Sequence, residues 1–240
     1  FINTKKIFPA IKDYIKFGLL ILGDAKKSEF MSLLINVSQI HEKERRFIIS
    51  SDELKLVNPN TRTAPIFRTN IDAKFTIRIY QKIPILLNEE TKDNVWNVSF
   101  GSMFHMSNDS HLFLNEFKEN CLPLYEAKMI YQFDHRFATY ENATQANINE
   151  GNLPQCTPVM HSNPLFVNTS RYWISKNELS KDFGKGWDKK WYCIFRDVTG
   201  GASERTLISS IIPNVATGNS ISHIFFNTDN LNLSTCLYAN

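Results

Sequence analysis

The chain is poor in the features that would place it at once. No apolar run in its 240 residues approaches the roughly 20 needed to cross a bilayer. The nearest, Phe17–Leu22, has strand length and ends at Gly23. Nine glycines and nine prolines exclude collagen-like and linker-dominated chains. The four cysteines, Cys121, Cys156, Cys193 and Cys236, form no CxxC and have no histidine interleaved at ligand spacing. Neither a structural zinc nor a disulfide framework is expected, and free thiols in a reducing cytoplasm are. Strong charge of one sign is also missing. The net value is +3, with 17 Lys+Arg against 14 Asp+Glu in residues 1–120 and 10 against 10 in residues 121–240. A protein that grips many DNA phosphates unaided carries a larger basic excess. A nucleic-acid role therefore has to rest on a local patch or on other parts of a larger protein. Catalytic signatures are just as scarce: there is no G-x-S-x-G elbow, no G-x-x-x-x-G-K-[ST] phosphate loop and no G-x-G-x-x-G.

What the chain does have is a core. At 42% hydrophobic and 12% aromatic, it can bury enough surface to fold. Phe17–Leu22 reads as a buried strand bounded by Gly23-Asp24, and Phe30–Val37 as a second apolar segment, strand or helix. Ser50-Ser-Asp-Glu53 has the capping-box pattern of a short helix, and Asn58–Pro65, with a proline near each end, is a loop of fixed shape. From Asn70 the spacing of Ala73, Ile77 and Tyr80 predicts a helix, capped by Asn70 or Thr69 and ended before Pro84. Trp96, Val98 and Phe100 alternate like a strand, as do Met129, Tyr131, Phe133, His135 and Phe137. Residues 142–169, rich in Asn, Pro and Thr, read as a long loop. Strand candidates follow at 171–174, 191–195, 206–212 and 221–226. The expected class is α+β, mixed before a boundary near Asn120 and β-rich over 121–240. The chain opens at Phe1, and Leu231–Asn240 holds the start of a helix, so both ends read as cuts in a longer polypeptide.

Three constellations can carry chemistry. Glu126-Ala-Lys128 has the E-x-K spacing of metal-dependent nucleases, with Asp109 as a second carboxylate; the pattern is short and Asp109 sits in a turn. His105 and His111 around Asp109 fit no standard ligand spacing, which favours solvated or hydrogen-bonding histidines. The third is basic and aromatic. Lys128, His135 and Arg136 are interleaved with Tyr131 and Phe133, Arg171 precedes Tyr172 and Trp173, and Arg196 and Arg205 flank Thr199-Gly-Gly201. Such groups bond phosphates or reach base edges; the bland alternative is an aromatic core with solvated cations.

At Pro123-Leu-Tyr-Glu-Ala-Lys-Met-Ile-Tyr-Gln-Phe-Asp-His-Arg-Phe-Ala-Thr-Tyr140 the sequence resembles the stretch that opens the target-recognition part of type II restriction-modification enzymes of the adenine-specific (N6) DNA methyltransferase family. Further blocks agree in the same order. Upstream are Phe1–Pro9, Lys16–Leu20 and Asn58–Phe67. Downstream are Arg196–Thr199, Glu204–Ile208, Ile212-Pro213 and Gly218–Ser220. The resemblance implies that residues 1–120 are the tail of a methyltransferase domain with connecting helices, and that 121–240 form the DNA-specificity domain. It implies a parent that transfers methyl from S-adenosylmethionine to the N6 of an adenine turned out of the duplex. No cofactor is expected in this piece. The glycine motif and the Asn-Pro-Pro-aromatic motif of such proteins are absent, and Asn58-Pro-Asn60 is only an echo of the second. Ala127 stands where the family commonly has glycine, which puts the local backbone shape in question.

The expected DNA contacts are Lys128, His135, Arg136 and Arg171, with Tyr172 either wedging against the duplex or, the favoured role, packing its strand. Arg62, Arg205 and Asn219 are weaker candidates, Asn219 serving either an adenine edge or a turn after Gly218. The expected partners are double-stranded DNA and the upstream catalytic domain of the same polypeptide, with no membrane, in the cytoplasm. The rivals are a protein-interaction module without DNA contact and a nuclease through Asp109, Glu126 and Lys128.

Overall fold

A computed structural model describes residues 1–24, 27–179, 183–200, 203–227, 232 and 235. Gly201, Cys236 and all of the helix start expected at Leu231–Asn240 except residues 232 and 235 lie outside the described residues. The chain divides into two compact units, Phe1–Val95 and Trp96–Asn240, so the division falls earlier than Asn120. Residues 96–120 go with the second unit because one of its strands is paired there, as described below.

In the first unit, β1 (Glu29–Phe30) pairs antiparallel with β2 (Phe47–Ile48), followed by α1 (Ser51–Val57) and α2 (Asn70–Lys82). Both helices start on the residues their sequences mark. Ser50 accepts from the Glu53 amide while the Glu53 carboxylate returns to Ser50, and Thr69 and Asp72 do the same for α2. Phe47, Ile49, Phe67 and Ala73 form the buried cluster that binds the helices to the strand pair. Asn58 fixes the loop after α1 by donating to the Thr63 carbonyl at 2.8 Å.

Two expectations fail in this unit. Phe17–Leu22 is neither a strand nor buried, and Ile21 is 92% exposed. Its apolar residues suit a sheet, but no strand among the described residues pairs with it. Of the segment 30–37 only Phe30 is in a strand.

In the second unit, β3 (Val98–Gly101), β9 (Ile221–Phe226), β6 (Trp191–Arg196) and β7 (Ser209–Pro213) form an antiparallel sheet in the order β3-β9-β6-β7. A second sheet places β4 (Cys121–Tyr125) between β5 (Trp173–Ser175), antiparallel, and β8 (Ala216–Thr217), parallel. The chain leaves β7, joins β8 in the second sheet, turns through Gly218–Ser220 and returns as β9. Tyr125, Met129, Ile130, Ile194, Ile212, Val215 and Ile221 form one buried cluster, and Phe104, Leu124, Ile174 and Ala216 another. The long segment expected at 142–169 carries two short capped helices, α3 (Gln145–Glu150) and α4 (Pro158–Ser162).

The strand expected at 128–137 is absent. A 3₁₀ turn at Ala127–Met129 and an isolated bridge between Tyr131 and Asp134 take its place, with Phe133 at φ 60°. The segment reverses tightly at Tyr131–Asp134 instead of pairing along its length with another strand. The architecture is mixed α and β, with several sheets and few helices. No helix among the described residues is long and apolar enough to cross a membrane.

Candidate nucleic-acid interface

The residues that follow β4 build the site. Tyr125 ends that strand fully buried, and the chain then turns at Glu126. Ala127 does not lie in the left-handed region, so this turn does not need glycine. The Glu126 carboxylate is held from two sides. The Tyr140 hydroxyl donates to it at 2.5 Å, and the Lys128 ammonium lies 3.3 Å away while covering the Tyr140 ring at 5.2 Å. Burial, followed by the bond to Glu126, pushes the Tyr140 phenol far above its ordinary range.

Arg171 completes this group. It is exposed, and its guanidinium lies 4.9 Å over the Tyr172 ring. It is close enough to Tyr140 to oppose the upward push on that phenol. Tyr172 packs at a tilt of 37° against Phe113, with centroids 5.5 Å apart. Lys128, Tyr140, Arg171 and Tyr172 thus form one patch of cations and rings with a carboxylate beneath it.

A second group lies beside Asp134. Arg136 donates to the carbonyls of Asn163 and His161, both at 3.0 Å, and its backbone amide donates to Asp134 at 2.8 Å. His161 sits 3.1 Å from the Asp134 carboxylate through Nε2 and 3.1 Å from the Thr157 carbonyl through Nδ1. These bonds pin α4 to the turn at 131–134. His135 is half-buried. Desolvation, then the neighbouring Arg136, lowers its pKa and favours the neutral ring. Its carbonyl accepts from Asn168, which also donates to Ala138.

The remaining candidates are dispersed. Asn219, in the turn after Gly218, accepts the Met106 amide at 3.0 Å through its side-chain oxygen. Arg205 is exposed, with no ion pair among the described residues. Arg62 belongs to the first unit, where it grips both oxygens of Glu90 at 2.9 and 3.0 Å. Arg196 donates to the Ile130 carbonyl and covers the Tyr131 ring at 5.6 Å.

Sequence reasoning brought Lys128, Arg171 and Tyr172 forward but missed Tyr140 as their hub and Asp134–His161 as a brace. Thr157-Pro158 is a helix-start signature, with proline at the first helical position, and it marks α4 in advance. The carboxylates of the nuclease rival are otherwise engaged. Asp109 accepts the His105 amide at 2.7 Å, Glu126 holds Tyr140 and Lys128, and no three His, Cys, Asp or Glu side chains gather as a metal set among the described residues.

Blocks far apart in sequence meet at this turn. Gly218 donates to the Tyr125 carbonyl at 2.9 Å, the Ala127 amide donates to Ser220 at 3.1 Å, and the Asp197 amide donates to the Ser220 carbonyl at 2.9 Å. No protein-family model matches the chain, and no curated protein or solved structure does either.

Proposed function

We propose that the second unit carries the sequence-recognition surface of a DNA adenine methyltransferase from a restriction-modification system. The parent enzyme transfers methyl from S-adenosylmethionine to adenine N6 through an upstream catalytic domain. The cofactor-holding motifs of that family have no counterpart in this sequence, so no chemical step is assigned to these residues. The ordered resemblance from Phe1 to Ser220 supports the reading. So does the way its separated blocks, 123–140, 196–199 and 218–220, meet at one turn.

The observation that carries most weight is Arg171. An exposed guanidinium laid on a tyrosine face, with no ion pair to a carboxylate among the described residues, keeps its hydrogen-bonding edge for a phosphate or a guanine. Lys128 is less free, because Glu126 neutralises it. Arg136 serves the fold before it serves a ligand.

Binding of the 240-residue chain to labelled duplexes, followed by fluorescence anisotropy, tests this. Arg171→Ala is expected to weaken binding by about tenfold, which is about 1.4 kcal/mol. Unchanged affinity in the folded variant removes Arg171 from the interface.

One observation favours a protein partner as well. Leu19–Leu22 exposes contiguous apolar side chains in the first unit, as a segment does when it completes the surface of another domain. On this reading the partner is the upstream catalytic domain.

A further inference from the structure

The first unit contains a cleft of about 610 Å³ that the recognition candidates do not touch. It opens between the 3₁₀ turns that end at His41 and begin at Lys43, strand β2 and the start of α2. Its charge is lopsided. Lys43, Arg46 and Lys74 contribute three cations and His41 an imidazole, against the single carboxylate of Glu29.

That carboxylate is partly spent, because Arg46 lies 3.4 Å from it. Arg46 also donates to the Ile40 carbonyl at 3.3 Å, which fixes the guanidinium at the wall of the cleft. Neither Lys43 nor Lys74 has an ionic partner among the described residues, and both are exposed. Asn70 and Lys74 stand one turn apart on α2, so the lysine rises on the same face as the helix start. The capping box there uses the Asp72 amide and turns the Asp72 carboxylate back to Thr69. The amides of Asn70 and Ile71 have no acceptor among the described residues, and the positive end of a 13-residue helix adds to the field.

The wider charge distribution points the same way. Residues 1–95 hold 16 Lys+Arg against 11 Asp+Glu, whereas 96–240 hold 11 against 13. The unit with the recognition candidates is therefore the acidic one, and the positive field belongs to the other.

We propose that this cleft is a phosphate-binding site in which Lys43, Arg46 and Lys74 hold a phosphate oxyanion at the start of α2. The sources of that oxyanion are a nucleic-acid backbone and a free phosphorylated small molecule. The cleft stands apart from the recognition reading, and only its assignment to a DNA backbone rests on it.

The test compares the full chain with the double variant Lys43→Ala/Lys74→Ala, whose exposed positions leave the fold intact. In the first arm, millimolar inorganic pyrophosphate is expected to raise the melting temperature of the unaltered chain and not that of the variant. No rise in the unaltered chain, or an equal rise in both, overturns the site. In the second arm, duplex affinity is measured across a salt series. A backbone source predicts a log–log salt slope shallower in the variant by roughly 2, one unit for each lost phosphate contact. An unchanged slope beside a lost pyrophosphate response keeps the site and rejects the backbone as its source. A chain that responds to pyrophosphate but binds no duplex keeps the cleft and removes the recognition reading.

Discussion

Tyr140 shows how one side chain organises several charges. Its hydroxyl satisfies Glu126 and its ring carries Lys128, so the carboxylate and the ammonium are both fixed by a residue near neither in sequence. Tyr140→Phe keeps the ring and removes the donor, leaving Glu126 partly buried with one bond fewer. The expected loss is about 1–2 kcal/mol in urea unfolding, and an unchanged midpoint contradicts the bond. Gly184 makes a sharper case. It sits at φ +61°, and an added Cβ would stand 2.7 Å from the Phe225 ring. Gly184→Ala therefore meets backbone strain and a clash together, and about 1–3 kcal/mol of destabilisation is expected in the same assay. At this scale the sequence marks which residues carry charge but not where the charge is spent. Arg136 reads as a DNA contact, and Asn219 as either an adenine-edge contact or a turn residue. Their partners, the carbonyls of His161 and Asn163 and the amide of Met106, come from distant segments that no local pattern announces.

Helices were legible and several strands were not, for a physical reason. A helix start is a local event: Ser50 with Glu53, and Thr69 with Asp72, satisfy each other within four residues. Thr69→Ala removes the acceptor for the Asp72 amide, and a loss of about 1 kcal/mol is expected, read as a lower urea midpoint at unchanged slope. A strand needs a neighbour. Ile221–Phe226 reads correctly because it lies between β3 and β6, with one face fully buried and the other half-buried until Phe226. Phe17–Leu22 has the same apolar character, yet only Phe17 is held, by backbone bonds to Phe1, and no strand among the described residues pairs with the segment. In 128–137 the period of two is real, yet the segment reverses on itself at Tyr131–Asp134.

The second unit also carries a pH-sensitive element that belongs to the molecule as a whole. His223 lies in β9, fully buried among Phe183, Tyr192 and Phe225, and burial pushes its pKa down to about 4. Above about pH 6.5 the ring is neutral in both folded and unfolded chains and contributes no pH dependence. Between about 6.5 and 4 the unfolded chain takes up a proton that the folded chain refuses, so stability falls as pH falls. On the order of 2–3 kcal/mol is expected to be lost between pH 7.5 and 4.5 by this group. His223→Phe should flatten that part of the urea-midpoint profile; an equally steep profile in the variant contradicts the assignment. Across the whole chain, the mixed α and β character was legible from periodicity and caps. The division before Trp96 was not, because it depends on β3 pairing with β9 across more than half the sequence. The measurement that tests the central claim most directly is selection from a random-sequence duplex pool by the 240-residue chain. The account predicts enrichment of a short shared motif, lost in Arg171→Ala. Uniform recovery of all sequences, with the chain folded, contradicts it.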